Sequence, residues 1–201
     1  MPITIVGVDY AGTPVALRER LAIPAAELPE ALARLRDVVH EGLILSTCNR
    51  TEVIAVSDAA DAGVAALTEF LVAGRGLFSD EVVPHRWSHT GADAVRHLFG
   101  VAAGLDSLVL GEDQIQSQLR IALDAASAAN TLGPTLHRLG HAALAAGKAN
   151  TQRPWARSVV SSSVRSDAKA STARARPASS PRSTRQRSHM ACRADEPSRR
   201  R

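Results

Sequence analysis

The sequence predicts an α+β fold: a small α/β unit with its strands early and its helices late, followed by a disordered basic tail. Three observations carry this. Short runs of Ile, Val and Leu occupy residues 3–8 and 43–56, a pattern that suits strands. From Asp58 to about Lys148 apolar residues recur at helical intervals. Residues 151–201 then contain no Leu, Ile, Phe or Gly, against 12 Arg, 11 Ser, 8 Ala and 4 Pro.

Residues 3–8 open with the alternating Ile3-Thr4-Ile5-Val6, the first strand. Pro24 can open a helix, because a proline is tolerated in a first helical turn, and Leu28, Ala31, Leu32 and Leu35 follow at helical spacing. A second strand begins at residue 43, turns at Thr47–Arg50 and returns from Glu52 to Val56. Asp58–Ala73 reads as a helix through Val64, Leu67 and Leu71, stopped by Gly74 and Gly76. Thr90 is the expected N-cap, with Asp93 three positions on, of a helix carrying Val95, Leu98, Phe99 and Ala102. Glu112–Ala129 is a further periodic segment, closed near Asn130 and Gly133. Pro134 starts the last helix, which runs to about Lys148.

Charge divides the chain at the same place. Residues 151–201 hold 13 of the 24 Lys and Arg and 3 of the 20 Asp and Glu, a net +10, leaving −6 for residues 1–150. The high overall pI therefore belongs to the tail, and the first part is not a basic nucleic-acid-binding domain. With so little apolar area the tail cannot offset the entropy of ordering its backbone, so residues 149–201 are expected to be disordered. Such a tail could bind polyanions in a salt-dependent way, or be what a GC-rich coding sequence yields out of frame.

Other classes are excluded by what is missing. Aromatics make up 3% of the chain, too few for a surface that stacks many bases. Cys48 and Cys192 lie far apart, which argues against a disulfide framework and against a zinc cage of cysteine pairs. The opening residues lack an export signal and no run reaches about 18 apolar residues, so the expectation is a cytoplasmic protein without a membrane span. Gly74-Arg75-Gly76 lacks the third glycine of a dinucleotide fingerprint, and Gly147-Lys148 lacks the glycine spacing of a phosphate loop. His137 and His141 have helical metal-pair spacing, but neither an intervening Glu nor a third ligand accompanies them.

Two polar clusters are candidates for chemistry. Ser46-Thr47-Cys48-Asn49-Arg50-Thr51-Glu52 places one thiol directly after an apolar strand, where the sheet fixes the backbone and the turn exposes the side chain. Arg50 would favour a thiolate if it lies near the sulfur, and it could equally grip a substrate carboxylate. Thr47 and Asn49 supply neutral groups suited to orienting a polar ligand. His89, just before Thr90, is the expected base projecting into a cleft. In Gly111-Glu112-Asp113-Gln114-Ile115-Gln116-Ser117-Gln118, Gln114 and Gln118 share one helical face with Glu112 at the helix start, and with Ser107 nearby they could hold a polar substrate.

Together, Ser-Thr-Cys-Asn-Arg-Thr-Glu at 46–52 and Gly-Leu-Asp-Ser-Leu-Val-Leu-Gly-Glu-Asp-Gln-Ile at 104–115 closely resemble the two signature segments of the glutamyl-tRNA reductase family. The likeness extends over residues 3–148 and includes Ile-Val-Gly-Val-Asp near the start and Ala-Val-Arg-His-Leu-Phe at 94–99. It implies a catalytic domain of residues 1–148 in which Cys48 attacks the ester of glutamyl-tRNA to form a thioester. In the full-length family, hydride from NADPH then releases glutamate-1-semialdehyde for tetrapyrrole synthesis. By the same resemblance Thr47, Asn49, Arg50, Ser107, Glu112, Asp113, Gln114 and Gln118 hold the glutamyl group, and His89 is important for activity. Asp113 stands where a proline is usual, and Gln116-Ser117 where Leu-Gly is usual.

The resemblance stops near Lys148, where relatives lead into an NADPH-binding domain and a helical dimerisation region. The expectation is that both are missing here through a frameshift, so that the family's homodimer and its hand-over to a glutamate-1-semialdehyde aminomutase are in question. On that reading the chain acts as a slow esterase rather than an efficient reductase. The rival readings are a noncatalytic RNA-binding protein working through its basic tail and an inactive pseudogene product.

Overall fold

A computed structural model describes residues 1–105 and 114–151. The fold is α+β. Its sheet has four antiparallel strands in the order β2-β3-β1-β4, formed by β1 (Ile3–Asp9), β2 (Glu41–Ser46), β3 (Arg50–Val56) and β4 (Trp87–Thr90). The helices are α1 (Val15–Leu21), α2 (Leu28–Arg36), α3 (Ala60–Val72), α4 (Ser79–Val82), α5 (Gly91–Ala102), α6 (Gln114–Ala128) and α7 (Pro134–Thr151).

Every residue of β3 is buried, so both sheet faces are covered. Register assigns each face. Thr4, Val6, Val53, Ala55, Gly42 and Ile44 share one side; there Leu35 of α2 packs on Gly42, and Gly63 of α3 lies over Thr4. The other side carries Ile5, Gly7, Glu52, Ile54, Leu43 and Glu41 and meets α5 through Glu52 and the start of α7 through Glu41. Helices therefore sandwich the sheet, and one apolar cluster runs from Leu32 and Leu67 through Ile5 and Ile54 to Leu98, Leu119 and Leu136.

Two close contacts fix the second helical layer. The buried Glu41 carboxylate accepts the backbone N–H groups of Thr135 (3.1 Å) and Leu136 (2.7 Å), satisfying donors that a helix start leaves open. Gly147 lets α7 cross α5 at the Ala102 carbonyl, where any Cβ would collide with backbone.

The structure differs from the sequence expectation at several elements. Pro24 heads a turn whose carbonyl accepts from Glu27 and Leu28, and the helix starts only at Leu28. Thr90 stands at the N-cap of α5 with extended backbone, but its side chain makes no capping bond, and Asp93 pairs instead with Arg96. The last helix continues to Thr151, since neither Ala149 nor Asn150 breaks it. α1, α4 and β4 have no counterpart in the periodicity. The expected disorder of the tail, and Ser107, Glu112 and Asp113, lie outside the described residues.

Candidate functional site

The cysteine sits at the tip of the β2–β3 hairpin. Thr47 N–H donates to the Arg50 carbonyl at 2.8 Å, and Thr47 Oγ1 accepts the backbone N–H groups of Asn49 and Arg50 at 3.2 Å. A threonine hydroxyl thus closes the turn, leaving Cys48 exposed as a free thiol and Asn49 half-buried. Ser46 Oγ accepts the Ile23 N–H at 2.9 Å, which ties the hairpin base to the segment after α1.

Immediately behind the tip the chain turns inward. Arg50 is 4% exposed and Glu52 wholly buried, and Arg50 donates to Glu52 Oε1 at 2.9 Å. The other carboxylate oxygen of Glu52 lies 3.2 Å from His97 Nε2 on α5. A carboxylate accepting from Arg50 can accept from His97 Nε2 as well. The Arg50 guanidinium, which the sequence offers to the thiol or to a substrate carboxylate, pairs with Glu52.

Rings close the far end of that row. Trp87 lies over Gly7, where a Cβ would stand 2.6 Å from the indole, and its Nε1 donates to Asp9 Oδ2 at 2.9 Å. The Trp87 and His97 rings are 4.5 Å apart, and His89 stacks on His97 at 5.0 Å. His89 is half-buried and, with His97, lines a cleft of about 760 Å³ bordered by Arg96, Phe99, Leu105 and Asn150.

The structure therefore brings Cys48, Thr47, Asn49 and Arg50 together on one hairpin and sets His89 on the ring stack. Gln114 opens α6 and is exposed, and Gln118 is half-buried one turn on. The sequence reading misses the Glu52–His97 contact. These residues are separated by 45 positions, and only the antiparallel sheet and the direction of α5 bring them together.

This architecture defines an α+β domain with a solvent-facing thiol on a hairpin at a sheet end, backed by a buried ion-pair row. Residues 6–153 match the model described as "Glutamyl-tRNAGlu reductase, N-terminal domain", and the chain belongs to that family. It is 53% identical over 148 residues to the glutamyl-tRNA reductase of Roseiflexus castenholzii, covering 74% of this chain and 35% of the relative. To that of Herpetosiphon aurantiacus it is 48% identical over 148 residues, covering 74% and 36%. The solved structure of glutamyl-tRNA reductase from Methanopyrus kandleri superposes with a TM-score of 0.59 at 28% identity, over 74% of this chain and 34% of that one. The chain thus spans about a third of the length of these relatives.

Proposed function

We propose that this domain transfers the glutamyl group of glutamyl-tRNA to Cys48. The observation that carries the reading is the exposed thiol on a rigid hairpin whose next residues anchor a histidine through a buried carboxylate. The exposed thiol supplies the nucleophile that covalent acyl transfer needs. The Cys48 sulfur attacks the ester carbonyl carbon, a C–S bond forms, and the thiol proton passes to the His89 imidazole as general base. Collapse of the tetrahedral adduct breaks the bond to the ribose oxygen, which takes the proton back as the RNA leaves. Glu52 holds His97, whose ring stacks on His89.

Thr47, Asn49, Arg50, Gln114 and Gln118 are proposed to hold the glutamyl moiety, together with Ser107, Glu112 and Asp113. In the full reductase reaction NADPH supplies the hydride that reduces the thioester. The described residues do not fit that cofactor. No strand-to-helix turn among them carries the glycine fingerprint, and an antiparallel sheet lacks the crevice between parallel strands where dinucleotides lie.

Intact mass after exposure to glutamyl-tRNA tests the proposal. A single added glutamyl group is expected, and it should vanish in Cys48→Ser. An unchanged adduct in that variant removes Cys48 from the mechanism. With NADPH present the chain is expected to release glutamate by thioester hydrolysis, and appreciable semialdehyde would refute the esterase outcome.

A further inference from the structure

We propose that His137 and His141 on α7 form a two-imidazole chelate for a divalent transition-metal ion of the Ni²⁺ or Cu²⁺ class. The pair takes no part in the chemistry proposed for Cys48. Both residues are exposed and lie one helical turn apart, with ring centres 4.4 Å from each other and ring planes tilted by 51°. Two imidazoles on one ion, at metal–nitrogen bonds of about 2.0–2.1 Å, have ring centres about 4.5–5 Å apart. The helix therefore already sets the ring spacing that a chelate needs.

Packing holds the pair in that place. α7 buries Leu136 and Ala143 and sets Gly140 against Leu123 of α6, which leaves both histidines outside the packed face. At its start, the Glu41 carboxylate accepts the N–H groups of Thr135 and Leu136, so the turn that carries His137 is anchored to the sheet. Such preorganisation lowers the ordering cost of binding. Among the described residues no third His, Cys, Asp or Glu completes a group of three. That composition excludes a closed structural site, but a two-nitrogen chelate needs no third protein ligand, because water fills its remaining positions. Imidazole favours Cu²⁺, Ni²⁺ and Zn²⁺ over Mg²⁺ and Ca²⁺, which take oxygen ligands. The ion bridges residues that are neighbours only while the turn is helical, so it binds the folded chain and stabilises it.

Titration of the whole chain with Ni²⁺, with Mg²⁺ as the control ion, tests this by calorimetry and by thermal melting. One Ni²⁺ site that depends on both histidines is expected. His137→Gln and His141→Gln should each weaken it at least about tenfold, because the second imidazole gains from the high effective concentration that the first provides. Both substitutions fall at exposed positions and introduce a good helix former, so folding is retained. Ni²⁺ should raise the melting temperature of the parent chain and of neither variant, and Mg²⁺ should shift none of them. Binding that survives in both variants, or that is lost in only one of them, overturns the chelate. So does an equal response to Mg²⁺. Loss of the site in His40→Gln also overturns it, since the ion would then belong to the His40–Asp58 pair.

Discussion

Glu52 is fully buried between an arginine and a histidine, and its neutralisation removes the negative charge that both contact. Glu52→Gln is therefore expected to cost about 3–5 kcal/mol in urea unfolding, whereas the apolar pair Arg50→Met with Glu52→Leu should recover most of that loss. The double variant should fold and yet fail to acylate, which separates the site's chemistry from its stability. If it acylates normally, the row is structural only. Gly7→Ala tests the ring end of the row. The added methyl meets the indole, so Trp87 must leave its place beside His97; overpacking of this kind costs about 1–3 kcal/mol, and slower acylation should accompany it. Cys48 should react with iodoacetamide in the native protein, and a shielded thiol would contradict the exposed hairpin tip.

At the level of elements, the join between β2 and α7 is the most consequential. Glu41→Ala removes the acceptor of two helix-start N–H groups and is expected to cost about 2 kcal/mol, read as a lower melting temperature, with Glu41→Gln recovering part of it. An unchanged melting temperature would show that water replaces the carboxylate. The same comparison explains which elements are legible in the sequence. β1 to β3, α2, α3 and α5 to α7 bury periodic apolar residues, and that periodicity is visible in a single chain. α1 buries only Leu21 among Arg18, Glu19 and Arg20, so no stripe announces it. β4 reads Trp-Ser-His-Thr, which lacks apolar alternation; it is a strand because β1 offers a free edge and Trp87 finds Asp9. The cysteine hairpin is legible because it is local. The histidine that meets Glu52 is not, because that choice depends on how α5 leaves β4.

For the molecule as a whole, a single apolar cluster joins the sheet to both helical layers, so neither layer has a core of its own. One cooperative transition is expected. With Trp155→Phe leaving Trp87 as the reporter, its fluorescence and far-UV circular dichroism should give the same midpoint; separated midpoints would mean that the layers melt independently. The placement of β1 adds a consequence for how the protein is made. It pairs with β3 on one side and β4 on the other, so a strand synthesised before both of its neighbours lies inside the finished sheet. It must wait for residues near 56 and again near 90 to emerge before it is flanked. Deleting β1 would accordingly remove a central stave of the sheet instead of an outer one.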